Sequence, residues 1–545
     1  MRLLRTIAPL VAVIWAGAGC GAGPVPESET LLFNGKIFTA ALEGTPWAEA
    51  LLIKGERIIR VGSTDDVRAA AGPVARSIDL GGRTVVPGFN DAHDHINPAR
   101  PGIEFSTGPS PTPDPTFSQV ADSLAALVAR EPAGTWLRTP IGERILIDPG
   151  ARRMALDRIA PNHPVELQAW SGHGVILNSA ALALAGFNDS TPDPLGGWFE
   201  RSQGKLTGLA NEYANYALYT ALTPGTESAV RAGFELRAAA AVRWGTTSIQ
   251  SMATGLDPAT LARVLDSLTL PIRLRMIPVP LTNQTGRIVA PWQVLKADGV
   301  KWILDGTPIE RLAAFRSPYS DRSSWYGRLN FPADTVKAFL AEALAAKTQP
   351  MIHAVGDSAV GVVLSALASL APDSVWREIR PRIEHGDGFS PDQYAAAKAF
   401  GVVIVQNPAH FALGPMAMAR YGNARLPSLQ PAKSVLGNGI MLALGTDGPV
   451  NPFVNLLLAV IHPNNPLEAL TMEQAVRAFT LGSAYAERRD RDKGRLVPGM
   501  LADLAVLSQD IFTIAPPELP KTVSVLTLVG GRPVYDPDGW LSPSK

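Results

Sequence analysis

A single cysteine, Cys20, stands in 545 residues. That excludes an intrachain disulfide and any metal site built from several thiolates. Charge of one sign is also missing: Lys and Arg together number 49, as do Asp and Glu, and the net charge is zero. Nothing electrostatic therefore favours nucleic acid or an anionic membrane surface as a partner. Histidine is scarce too, at eight residues, so the place of each one carries information. The rest of the composition, 46% hydrophobic and 18% charged, is that of a globular chain and not of a disordered one. Its length suffices for a large core and more than one domain.

The first 20 residues differ in texture from the rest of the chain. Arg2 and Arg5 precede the apolar run Ile7 to Trp15, and Ala16-Gly17-Ala18-Gly19 lead into Cys20. This has the form of a secretory signal and is short for a membrane span. A cysteine directly after small residues resembles a bacterial lipoprotein signal, although Gly17 stands where a leucine is usual. The expectation is an exported, lipid-anchored protein of the cell envelope, with residues 21–30 as a tether and no other membrane contact. An ordinary cleaved signal, giving a periplasmic or secreted protein, is the alternative.

The strongest functional signal is Val85-Val86-Pro87-Gly88-Phe89-Asn90-Asp91-Ala92-His93-Asp94-His95. An apolar, strand-like run stops in two histidines at i and i+2, which share one face of a strand. Two neutral imidazoles on one face are half of a transition-metal site. His353, His385 and Asp447 end apolar runs in the same way (Pro350–His353, Arg382–His385 and Met441–Asp447), and Lys301 lies inside the run Val300 to Asp305. Any one of these is more often a satisfied polar residue at a strand end. Five such strands in one chain make that reading the weaker one.

Strand-like segments at Thr84–His95, Thr246–Met252, Ile272–Val279, Val300–Asp305, Pro350–His353, Arg382–His385, Gly401–Asn407 and Met441–Asp447 alternate with helical patterns such as Ala333–Lys347, Asp357–Leu370 and Pro391–Phe400. Eight strands with helical crossovers predict an α/β fold, a (β/α)8 TIM-like barrel over residues 87–489, whose site lies at the C-terminal strand ends. Residues 96–245 are too long for one crossover and predict an inserted subdomain after the first strand. Short strands and turns at 31–86 and 490–545 predict a small β-sandwich domain built from both chain ends. The Pro-rich Pro109–Pro115 reads as a surface loop.

Together these segments, with Ser171-Gly172-His173 and His353-Ala354-Val355-Gly356-Asp357, resemble the amidohydrolase superfamily. The likeness is nearest to the YtcJ-like branch (amidohydrolase family 3), which includes N-substituted formamide deformylases. The resemblance covers most of residues 31–535. It implies one or two divalent ions, zinc by preference. His93, His95 and Asp447 would hold one, and His353 and His385 a second. Lys301 would be carboxylated and bridge the two; the alternative for it is an ion pair with Asp305. Asp447 would carry the proton from water to the leaving amine. His173, in the insertion, and His410, three residues after Asn407, are candidates to contact a small-molecule substrate. Glu212 also resembles a family position, without an assigned role. Glu384, next to His385 on its strand, is expected to face away from the barrel interior. His163 and His462 receive no role, and Trp170, Trp198, Trp302 and Trp325 wall either a pocket or the core. The expected activity is hydrolysis of an amide or formamide C–N bond. Alternatives are hydrolysis of cyclic amides, carbamates or esters, deamination, and solute binding without turnover.

Overall fold

A computed structural model describes residues 29–541 except 99, 109–113, 224 and 281–297. The signal-like segment, Cys20, most of the tether and most of Pro109–Pro115 lie outside the described residues.

Eight buried strands follow one another in the order read from the sequence: β1 (Phe89–Asp94), β2 (Thr246–Ala253), β3 (Arg273–Pro278), β4 (Val300–Ile303), β5 (Pro350–Ala354), β6 (Arg382–His385), β7 (Val403–Gln406) and β8 (Met441–Leu444). All neighbouring pairs are parallel, in two arcs, β1-β2-β3 and β4 to β8. The strands are buried at nearly every position because both faces are covered. Val403, Val405 and Ala443 meet Ala92 inside, while Ile352, Ile383, Ile404 and Leu442 pack outward on helices such as Ala333–Ala345 and Asp357–Leu370.

The arrangement is TIM-barrel-like, yet backbone ladders do not close the ring among the described residues. Side chains and one backbone bond join the arcs instead. At the β3–β4 seam, Arg275 donates to Gln349 Oε1 at 2.8 Å and to Asp298 O. At the β8–β1 seam, Asp91 accepts from Thr446 N at 2.9 Å and from Thr446 Oγ1 at 2.5 Å, and Asp447 N donates to His93 O at 2.9 Å. Gly445 makes this approach possible, since a Cβ there would run into His93. Arg237, from the helix Glu227–Arg243, adds paired bonds of 2.6 and 2.7 Å to Asp94. The strand leading to the two histidines and the strand leading to Asp447 are thus held in register by a buried polar clamp.

The run expected as one strand from Thr84 to His95 is divided at Gly88. Thr84–Pro87 pairs with Leu504–Leu507 from the far end of the chain, and only Phe89–Asp94 enters the barrel-like core. Glu29–Phe33, Ala50–Lys54, Arg57–Gly62 and Arg76–Asp79 make a second terminal sheet. Leu32, Leu51 and Ile53 of that sheet share a core with Val85, Leu504, Val506 and Leu526. Between β1 and β2 the chain builds a six-stranded sheet from Ile103–Glu104 to Lys205–Glu212, and its last strand and the loop at 171–173 reach the C-terminal ends of the central strands.

Candidate metal centre

Five candidate side chains sit near or just past the C-terminal end of a short buried strand, and Lys301 enters near the start of its own. His93 lies in β1 with His95 just past its end, Lys301 in β4, His353 in β5, His385 at the close of β6, and Asp447 just beyond β8. Ring centroids are 5.4 Å apart for His93 and His95, 4.9 Å for His93 and His385, and 4.5 Å for His353 and His385. Asp447 Oδ1 is 3.8 Å from His93 Nε2 and 3.5 Å from His95 Nε2, and its Oδ2 is 3.6 Å from His410 Nε2. Lys301 Nζ lies 2.9 Å from His93 Nε2. The His173 ring packs on His353 at 4.8 Å and the His410 ring on His385 at 5.3 Å. All eight candidate residues therefore meet in one cluster.

Partners behind the rings decide which nitrogens face the cluster. Glu384 Oε2 is 2.6 Å from His93 Nδ1. A carboxylate only accepts, so the proton sits on Nδ1 and Nε2 keeps its lone pair. Asn407 Oδ1 does the same for His385 Nδ1 at 2.9 Å. Burial first, and then Lys301, push His93 well below the usual imidazole range; burial and the neighbouring His353 do so for His385. His353 is held down by burial and His173. Neutral imidazole is the ligand form. Burial resists the ionisation of Asp447, but His93, His95, His410 and Lys301 outweigh it and hold the carboxyl far below its ordinary range. Burial draws Lys301 down to about 8, against the opposing pull of Asp447 and Glu384.

The residues fit a cation. One donor atom each from His93, His385 and Asp447 falls within 4.8 Å of the others. Two ligands each ~2.0–2.2 Å from one tetrahedral ion lie roughly 3.3–3.6 Å apart, close to the separations around Asp447. His353 Nε2 is buried without a hydrogen-bond partner among the described residues, 3.7 Å from Asp305 Oδ1. Imidazoles with a carboxylate and no thiolate suit a divalent ion. Backbone strain gathers here as well: His385 has φ 70° and Asp447 φ 43°, conformations that cost of order 1–3 kcal/mol in residues with a Cβ and tend to mark functional sites.

One expectation changes, and one alternative falls away. Glu384 does not face away; it bonds His93 and receives Arg382 at 2.7 and 3.0 Å. Arg382 and Glu384 share the inward face of β6, and the chain turns at His385, so strict alternation fails at the strand end and both neighbours reach the site. Asp305 is not the partner of Lys301; its carboxylate accepts from the backbone N–H of Ala314, Val355 and Gly356, each at 2.9 Å. His93, His385 and Asp447 form the tightest donor group, across the two sets expected. Sequence reasoning missed Asp91, Arg237 and Asn407. Asp91 and Arg237 clamp the strands, and burial, reinforced by Asp94, lifts Asp91 to about 7. The density of acids in Asn90-Asp91-Ala92-His93-Asp94-His95 is a signal for Asp91 alone.

His163, His462 and the four tryptophans have partners elsewhere. His163 bonds Thr135 O at 3.1 Å, and His462 bonds Gln430 O at 2.9 Å and stacks on Phe411. Trp302 stacks on Phe339 in the core, Trp170 packs on the core of the insertion, and Trp198 lies under Arg328. Trp325 Nε1 donates to Arg311 O.

The chain is similar to known proteins. The chain is 29% identical to the N-substituted formamide deformylase of Arthrobacter pascens, over 94% of this chain and 99% of that one. It is 26% identical to YtcJ of Bacillus subtilis, over 92% and 98%. An uncharacterised metal-dependent hydrolase from Pyrococcus furiosus has a similar fold, with a TM-score of 0.67 at 22% identity, covering 89% of this chain and all of that one. The sequence pattern of the amidohydrolase family matches residues 76–535. The chain is a hydrolase by kinship and belongs to the amidohydrolase family.

Proposed function

We propose that the protein is a metal-dependent hydrolase that cleaves the C–N bond of an amide or formamide with water. One observation carries the reading: neutral imidazoles and an ionised carboxylate converge at the C-terminal strand ends, with His93, His385 and Asp447 donors inside 4.8 Å. The relative named for formamide deformylation supports the choice of bond. His93, His95, His353, His385 and Asp447 would hold one or two ions, with zinc the preferred metal for such a donor set. A divalent ion held there would lower the pKa of water from 15.7 toward ~7 and polarise a carbonyl.

The protein's own groups do the rest. Asp447, ionised and set among His93, His95 and His410, accepts the proton of the attacking water and returns it to the leaving amine. Glu384 keeps the His93 proton on Nδ1. Lys301, which burial makes easier to deprotonate, is open to carboxylation, which would replace a cation that repels metal with an anion that could ligate it. His173 and His410 flank the cluster where substrate would enter. The amino-terminal segment adds a location, the cell envelope, with Cys20 as lipid anchor.

A panel of N-substituted formamides, linear and cyclic amides, carbamates and esters tests the activity. Amine release from amides or formamides, lost in chelator and restored by zinc, is expected. Turnover of esters alone, or release indifferent to chelation, refutes the reading.

A further inference from the structure

Glu212 has no part in the chemistry above, yet it is tightly constrained. It ends the strand Lys205–Glu212 and begins the helix Tyr213–Leu222, with φ 53° and ψ −128°. That conformation is open to glycine and strained for a residue with a Cβ, and it persists only where the surroundings impose it. The side chain is fully buried. A buried carboxylate is costly unless it is hydrogen-bonded, so a mere strut at this position would be better served by an apolar group.

Its two partners come from different parts of the fold. His173 Nδ1, from the insertion, lies 3.0 and 3.1 Å from the two carboxylate oxygens. Asn330 Nδ2 donates to Glu212 Oε2 at 2.9 Å and to Ile303 O, at the end of the Lys301 strand, at 3.1 Å. A Cβ at Gly306 would run into the carboxylate. The loop bearing His173 is gripped on both sides: Glu212 N donates to His173 O at 3.0 Å, Asn215 Nδ2 to Gly172 O at 2.6 Å, and Ser171 Oγ to the half-buried Glu310. With Nδ1 so engaged, the imidazole rests on His353, and its Nε2 has no hydrogen-bond partner among the described residues.

We infer that Glu212 is a positioning residue: it fixes His173, carried by the insertion, against the cluster so that Nε2 contacts the carbonyl oxygen of the substrate. This rests on the hydrolytic reading. Glu212 ties that contact to the strand of Lys301 through Asn330, so the insertion and the central strands form one site.

The test uses the zinc-loaded full chain and an amide it turns over; a wild-type chain that turns over none sinks the hydrolytic reading itself and not this inference alone. His173→Asn keeps a donor at the Nδ1 position for Glu212 and removes Nε2. It should lower kcat by ~10²-fold, the loss typical of one transition-state hydrogen bond, with KM and metal content unchanged. Glu212→Gln should lower kcat at least tenfold with the same split. The double variant should be no slower than His173→Asn alone, because residues acting as a unit are not additive. Should the glutamine variant not fold, Asn330→Ala removes the barrel-side donor to Glu212 and should lower kcat with metal content unchanged. Wild-type kcat in Glu212→Gln or Asn330→Ala, multiplied losses in the double variant, or loss of metal alongside activity would overturn the inference.

Discussion

Replacing Glu384 with glutamine separates two properties of one buried carboxylate. Glu384 Oε2 receives His93 Nδ1–H at 2.6 Å, and both oxygens receive Arg382, at 2.7 and 3.0 Å. Arg382 is fully buried and has two other acceptors, Gln250 Oε1 and Ala92 O, each at 2.7 Å. Removing one partner of a buried ion pair costs ~3–5 kcal/mol. Glutamine keeps an acceptor oxygen, and Arg382 keeps its two other bonds, so the lower end applies, about 3 kcal/mol. Separately, loss of the carboxylate behind a metal-binding histidine lowers metal affinity by ~10–100-fold. Guanidinium unfolding of the metal-free protein reads the first quantity as a shifted midpoint at constant slope. Competition with a chromophoric chelator reads the second. Replacing both members, Arg382→Met with Glu384→Leu, removes the buried charges together. It should recover most of the stability while leaving metal affinity low. Wild-type metal affinity in Glu384→Gln would overturn this, because the carboxylate would then be only a partner for Arg382.

Other consequences come from the same geometry. Asp447→Asn keeps the shape and loses the proton acceptor, so turnover should fall by ~10²–10⁴-fold, with a smaller loss of bound metal than in His93→Ala; kinetics paired with elemental analysis checks both. Lys301 should carry a carboxylate: zinc-loaded protein prepared in ¹³C-bicarbonate should show a carbamate carbon resonance that is missing in Lys301→Ala, and its absence from both would leave a free amine beside His93. Cys20→Ser should move the protein from the membrane fraction to the soluble fraction of the cells that express it, and equal partitioning would favour simple export.

Much of the site is legible in the sequence because its histidines end apolar runs, and an apolar run closed by a ligand residue is how parallel strands deliver side chains to one face. The helix Asp357–Leu370 and the strand Arg382–His385 have the bounds read from the sequence. What is not legible depends on departures from regular geometry or on distant partners. The orientation of Glu384 escapes the pattern because period-two alternation breaks at His385, whose φ of 70° nothing in the spacing announces. Arg237 reaches Asp94 from a helix 143 residues away, and nothing in its position distinguishes it from other helical arginines. Eight strands imply a ring closed by strand pairing, but Arg275, Asp91 and Thr446 join its arcs through side chains. Glu212 gives no turn signal, since glutamate is not a residue that favours positive φ.

Everything chemical above depends on a divalent ion at these strand ends. Zinc-edge anomalous diffraction from crystals of the full chain grown with zinc would locate it. The expected result is an anomalous peak bounded by His93, His95, His385 and Asp447, present at one to two ions per chain and lost in His93→Ala. Zinc bound only at the protein surface, with Lys301 Nζ still resting on His93 Nε2, would contradict it.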